Sequence, residues 1–267
     1  MFDILGFKAL RCSLETAGLY TRLKQLVVPL MQHAAAGRGK IIDGPMGSLF
    51  VPDFHAQSVE YRIISDTIIL ISKDDTFQSF LNIINSCVQL LKFGFAGSKT
   101  PYRGAIGWGD VVLDGPHILV GEAVEDAHAG ESCQAWAGCM LTPACEAFVI
   151  EHNYLYDYFW GVLHVAEQEA EPQKQRKAVD LASLIAHYPV PIQVNRKNEP
   201  KAYATREAYV LDWTIGMFEG AAAKAFHQSS EPHVMVLQQN TIEFEAWARK
   251  NNRRGFVGPL VADVAGN

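Results

Sequence analysis

Two carboxylates sit where chemistry could start. Asp3 ends the short stretch Phe2-Asp3-Ile4-Leu5-Gly6-Phe7, which reads as a strand running into a Gly turn. Asp66 stands at the break in Tyr61-Arg62-Ile63-Ile64-Ser65-Asp66-Thr67-Ile68-Ile69-Leu70-Ile71. An ionised carboxylate flanked by Ile63, Ile64, Ile68 and Ile69 is poorly solvated, and unpaired it is costly. A divalent cation shared with another acidic residue offsets that cost. Two such ions about 4 Å apart can hold a triphosphate, activate an attacking hydroxyl and stabilise the leaving oxygen. A plainer reading stands beside this one: a lone Asp at a hairpin tip is commonly a turn former. Spacing alone does not join Asp3 to Asp66.

Other reactive residue types point nowhere as a set. His117, His128 and His152 lack the spacing of a metal triad, and His128 reads as structural on its helix. The cysteines are Cys12, Cys87, Cys133, Cys139 and Cys145. Their odd number and the lack of a C-x-x-C pair favour reduced thiols filling the core over disulfides or zinc. No phosphate-binding Gly-rich loop or Ser nucleophile elbow is present. The aromatic run Tyr154-Leu-Tyr156-Asp-Tyr158-Phe159-Trp160 reads as core or dimer packing rather than a base-stacking platform. Gly107-Trp108-Gly109 reads as a strand that approaches another backbone closely.

The elements that must position Asp3 and Asp66 follow from periodicity. Residues 13–35 predict a helix, with Leu19, Leu23, Leu26, Val27, Leu30 and Met31 at helical spacing and Gly37 and Gly39 beyond its end. Ser48–Val51 and Val59–Ser72 read as strand, the second folded into a hairpin at Ser65-Asp66. Asp75 is the expected N-cap of a helix through Phe93. Strands are expected at Arg103–Val112, Ile118–Val120 and Cys139–Leu141, and helices at Glu122–Glu131 and after Thr142-Pro143. Val190–Val194 and Ala202–Leu211 predict a late hairpin around Arg196–Lys201. Two helices close the chain, the second opening with Asn240-Thr-Ile-Glu243. Glu167–Lys177 reads as a surface loop or a frayed helix end.

Together these predict one α+β domain over residues 1–267. Its motif-bearing core is about 1–160, and 161–267 adds the C-terminal hairpin and helices. The sheet is expected to be palm-like, of ferredoxin-type βαββαβ order, with helices on one face.

Composition bounds the partners. With 49% hydrophobic and 19% charged residues the chain is ordinary globular material. A net charge of −6 argues against a broad basic footprint for nucleic acid, yet leaves room for a local basic pocket. No apolar run reaches the roughly 18 residues of a membrane span. Met1 followed at once by Asp3 and Lys8 does not read as a signal peptide, so a cytoplasmic location is expected.

Four segments then fall in a recognisable order over residues 2–131. Phe2-Asp3-Ile4-Leu5-Gly6-Phe7 resembles the first metal motif of class III nucleotide cyclases, Phe-x-Asp-Ile-x-Gly-Phe. Ile64-Ser65-Asp66 resembles their Gly-Asp hairpin, with Ser for Gly. Tyr102-Arg103-Gly-Ala-Ile106-Gly-Trp-Gly109 resembles their Arg-x-Gly-Ile-x-x-Gly strand. Gly121-Glu-Ala-Val124-Glu125-Asp-Ala127 resembles their Gly-x-x-Val-Asn-x-Ala segment. The Phe-Asp-Ile-Leu-Gly-Phe-Lys form with Arg-Gly-Ala-Ile is similar to the pyrimidine cyclases of bacterial anti-phage (Pycsar) systems.

The resemblance implies a site and a reaction. Asp3 and Asp66, with the Ile4 backbone, match the ligands of two divalent ions, Mn²⁺ or Mg²⁺. Backbone amides of Ile4, Leu5, Gly6 and Phe7 are then expected to cradle phosphates. Arg103 matches an arginine that contacts the triphosphate. Arg62 falls at the position that reads the base; its plainer reading is a solvated strand residue paired with Glu60. Glu125 stands where the family keeps a transition-state Asn, and Ala129 where it keeps an Arg. Arg103, His128, Lys197 and Lys201 are the candidate replacements. Ile118, at the second base-reading position, offers no hydrogen bond, so the purine-selecting pair is absent. The implied activity is conversion of UTP, with CTP next and ATP third, to the 3′,5′-cyclic monophosphate and pyrophosphate. The implied partners are a second copy of the chain, in a homodimer, and a separate effector that reads the cyclic product. An adenylate or guanylate cyclase, or an inactive cyclase-like domain, is the alternative.

Overall fold

Ile63 to Ile71 is two apolar runs broken once by Ser65-Asp66-Thr67, and the break makes the hairpin at the edge of the main sheet. β4 (Val59–Ile64) and β5 (Thr67–Ser72) pair antiparallel from Val59↔Ser72 to Ile64↔Thr67. Ser65 takes a left-handed φ of 59° in the turn, a conformation that costs a non-glycine residue little only in a tight loop. The computed structural model describes residues 1–7, 11–12, 14–28, 31, 39–44, 47–52, 59–98, 100–115, 118–160, 184–194, 202–226 and 231–251. The expectations for Gly37, His117, Glu167–Lys177, Lys197 and Lys201 lie outside these residues.

β1 (Phe2–Ile4) lies between β5 and β6 (Tyr102–Ile106), antiparallel to both. β9 (Cys139–Leu141) runs parallel to β6 and joins the late hairpin of β10 (Ile185–Gln193) and β11 (Tyr203–Leu211). The seven strands follow the order β10-β11-β9-β6-β1-β5-β4. Two small hairpins stand apart: β2 (Gly39–Gly44) with β3 (Gly47–Pro52), and β7 (Val112–Asp114) with β8 (Ile118–Val120). The described helices are α1 (Thr16–Arg22, continuing as a π-helical stretch to Val27), α2 (Phe77–Phe93), α3 (Glu122–Cys133), α4 (Pro143–Glu151), α5 (Ala221–Ala225) and α6 (Pro232–Asn251). The fold is α+β with a mixed sheet. The order β1-α1-β4-β5-α2-β6, with β1 and β5 central among those four strands, is a split βαββαβ arrangement.

The helices take both faces, which corrects the expectation of one. Phe2, Gly104 and Cys139 share a face, and the Cys139 thiol meets Cys87 of α2 there. Ala105 and Met140 share the other face, and Gly130 of α3 packs on both. Asp3 and Arg103 project on this second side, because side chains alternate along a strand. Phe2 is fully buried, and its ring fills the space that a side chain at Gly104 would need. The C-terminal helix is anchored by aromatic contacts. Phe244 of α6 meets Trp136 edge-on at 4.5 Å, and Trp213 stacks on Phe95 at 3.7 Å.

Several boundaries differ from the sequence reading. Thr76 rather than Asp75 caps α2: its hydroxyl accepts the Ser79 N–H, while Asp74 accepts from Thr76. β6 leaves the sheet at Gly107, well short of Val112. There Gly107 and Gly109 let the backbone pass against Ala123 and Glu122, so the close approach holds but the strand does not. α6 runs unbroken through Asn240. Asn240 donates to the Ala135 carbonyl at 2.6 Å, and Thr241 accepts the Ala137 N–H at 2.8 Å, so both latch the helix to a loop instead of starting it.

Candidate functional site

The site forms where β1, the β4–β5 turn and β6 meet. Asp3 faces Thr67 across β5 and Arg103 across β6. The Ile4 N–H donates to the Asp66 carbonyl at 3.0 Å, which ties the hairpin tip to the end of β1. Asp3 and Asp66 are thus neighbours in space, close enough for the charge of Asp66 to act on Asp3.

The burial penalty falls on Asp3. Its carboxyl is pushed up to about 6 by burial first, then by the charge of Glu131, with Arg103 acting in the other direction. Asp66 is half-buried, and Ile64 beside it is 60% exposed. The expectation that four isoleucines shield Asp66 is therefore corrected: the turn points the tip outward.

Arg103 is held from three sides. Its Nε and Nη2 lie 2.6 Å from Glu131 Oε1, its Nη1 donates to the Gln134 carbonyl at 3.1 Å, and Nη2 stands 3.7 Å from Asp3 Oδ2. Glu131 is nearly inaccessible, with a side chain 5% exposed. Sequence reasoning missed it. The available signal was faint: Glu131 falls four residues after buried Ala127, on the stripe that α3 turns to the sheet.

Two expectations about binding groups change. The Ile4 N–H is spent on Asp66 and the Leu5 N–H on the Pro101 carbonyl at 3.0 Å. Of the predicted cradle, Gly6 has φ 79° with open space beside it. Arg62 shares the Asp3 face of the sheet, since it pairs with Ile69, two residues along from Thr67. It donates to the carbonyls of Tyr61 at 2.9 Å and Gly115 at 3.1 Å, and stands 3.5 Å from Glu60. The pairing with Glu60 is thus present, and a link to the β7–β8 turn is added.

On α3, Glu125, His128 and Ala129 are exposed, whereas Gly130 and Glu131 face the sheet. His152 is tied to the Phe148 carbonyl at 3.0 Å. Tyr158 and Phe159 are buried, while Tyr156 and Trp160 are exposed.

Among the described residues, no three His, Cys, Asp or Glu side chains form a metal-ligand group. What exists is a pair of half-buried carboxylates, Asp3 and Asp66, joined through the Ile4 N–H bond to the Asp66 carbonyl. Asp3, Asp66 and Glu131 outnumber the single guanidinium of Arg103. That all-oxygen, net-negative set fits a hard divalent ion of the Mg²⁺ or Mn²⁺ kind, which takes one or two carboxylates and leaves further positions for substrate oxygens. None of the described helices is long and apolar enough to cross a membrane. Comparison with protein-family models, curated proteins and solved structures returned no match.

Proposed function

We propose that this chain is a metal-dependent pyrimidine nucleotide cyclase of the class III type, acting on UTP first and CTP second. The observation that carries the reading is the junction of Asp3 and Asp66, held by the Ile4 N–H to Asp66 carbonyl bond beside Arg103. The strand order around it, with β1 and β5 central, is the arrangement that the ordered motifs imply.

In this reading Asp3, Asp66 and the Ile4 carbonyl hold two divalent ions. Bound there, the ions would supply charge for the triphosphate, for the attacking oxygen and for the leaving group. The chain's own part is positioning and charge. Gly6 and Phe7 would offer amides to phosphate oxygens at the turn after β1. Arg103 stands 3.7 Å from Asp3 while paired with Glu131, within reach of a triphosphate bound there. The ribose 3′-hydroxyl gives up its proton to solvent as its oxygen bonds to the α-phosphorus, and the bond from that phosphorus to the bridging oxygen breaks, releasing pyrophosphate.

Glu125, His128 and Ala129 are exposed on α3, and His128 Nδ1 stands 3.8 Å from Glu131 Oε2. In a homodimer the exposed Glu125 and Ala129 would line a second copy's site. Val112, Ile118 and Val120 leave an exposed apolar strip on the β7–β8 hairpin that suits the same contact. The cyclic product would then signal to a separate effector protein, as in anti-phage defence.

One observation favours a second reading. Glu125 and Ala129 cannot orient a ribose or neutralise phosphate charge as Asn and Arg do, so an inactive nucleotide-binding domain is the alternative. Incubation with UTP, CTP, ATP and GTP in Mn²⁺ separates the cases. Cyclic UMP is the expected product. A purine product overturns the base assignment, and no cyclic product from any of the four overturns the enzyme.

A further inference from the structure

We propose that Glu131 is a positioning residue that holds Arg103 off Asp3 and so keeps Asp3 available to a divalent cation. The inference rests on the cyclase reading only in taking Asp3 as a cation ligand. Arg103 has two carboxylates to choose between. It stands 2.6 Å from Glu131 but 3.7 Å from Asp3. The choice is built into the fold. Glu131 is buried on α3 and also accepts from the Ser132 hydroxyl at 3.2 Å. Gln134, just past the helix, donates to the carbonyls of Gly104 at 2.7 Å and Gly130 at 2.9 Å, and its own carbonyl takes Arg103 Nη1. The end of α3 is thereby fixed against β6, with Glu131 set under the guanidinium.

The physical need is plain. An arginine paired directly with Asp3 would occupy the carboxylate and repel a cation approaching it. Glu131 absorbs most of that charge. Without it, Arg103 would close on Asp3. Arg103 already stands 3.7 Å from Asp3, and closing that gap to a direct charge-assisted hydrogen bond sets up competition on the order of tenfold or more against a cation.

The test is titration of the full chain with Mn²⁺ alone, following the free-ion paramagnetic resonance signal. Asp3→Asn defines the binding that depends on Asp3. Glu131→Gln is expected to weaken that binding by about tenfold or more, and Glu131→Gln with Arg103→Gln is expected to restore it. Equal or tighter binding in Glu131→Gln overturns this inference while leaving the cation assignment in place. A double variant as weak as the single one also overturns it, because the effect then does not pass through Arg103. No Asp3-dependent binding in the unaltered chain overturns the cation assignment and this inference together. Should Glu131→Gln fail to fold, the unaltered chain still decides. The Arg103 Nε–H resonance should keep its shift and slow exchange at saturating Mg²⁺; its loss on adding Mg²⁺ would show that the Glu131 contact breaks, which contradicts the inference.

Discussion

A half-buried acid that resists ionising lies at the centre of the proposed site. Asp3 is raised from an ordinary 3.8 to about 6, chiefly by burial and then by Glu131. Between about pH 4 and 6 the folded chain keeps a proton that the unfolded chain releases. The folded state is therefore favoured at the low end of that window, and this contribution is lost as pH rises through about 6. Asp3→Asn should remove the loss. In metal-free buffer it should raise stability at pH 7 by ~1–2 kcal/mol, allowing for solvent screening of a partly exposed group. Urea unfolding at about pH 4 and at pH 7 checks this; an unchanged difference between the two pH values would contradict it. That Asp3, Asp66 and Arg103 come together was legible in the sequence because each sits in a motif with characteristic neighbours. Glu131 was not, since one Glu within a helical stripe looks like any surface residue until the sheet beneath it is known. The phosphate cradle was overread for a related reason: the Ile4 and Leu5 amides carry strand contacts that only the pairing of β1 reveals.

Elements place these residues through contacts that tolerate little change. Gly104 leaves room for the Phe2 ring, and a Cβ there would stand 2.3 Å from it. Gly104→Ala should cost ~1–3 kcal/mol by overpacking and should also shift Asp3, which follows Phe2 on β1. Thermal unfolding reads the first effect and Mn²⁺ affinity the second. Thr76→Ala should cost ~1 kcal/mol through loss of the α2 cap, with little effect at the distant site. The hairpin at Ser65-Asp66, the short strand Cys139–Leu141 and the Thr142 cap could be read from local pattern because neighbouring residues settle them. β10 could be read only in part. Pro189 and Pro191 hide a strand that spans Ile185–Gln193, and they are tolerated because β10 lies at the sheet edge. The false start at Asn240 arose from side chains whose partners lie about a hundred residues away in the loop near Ala135.

At the scale of the whole molecule, the proposed metal, phosphate and base positions lie on one chain, while α3 turns Gly130 and Glu131 to the sheet and leaves Glu125, His128 and Ala129 exposed. Light scattering should therefore give twice the mass of one chain, and a charge placed in the β7–β8 strip, Val120→Glu, should shift it towards the monomer with loss of turnover. The central claim is that Asp3 and Asp66 together form a divalent-cation site that makes a cyclic nucleotide. The most direct measurement is Mn²⁺-dependent turnover of UTP by the unaltered chain, Asp3→Ala and Asp66→Ala side by side, with products identified by mass spectrometry. Cyclic UMP and pyrophosphate are expected from the unaltered chain and a loss of at least about a hundredfold in each variant, the scale of removing a main transition-state stabiliser. Cyclic product that survives either substitution would contradict it.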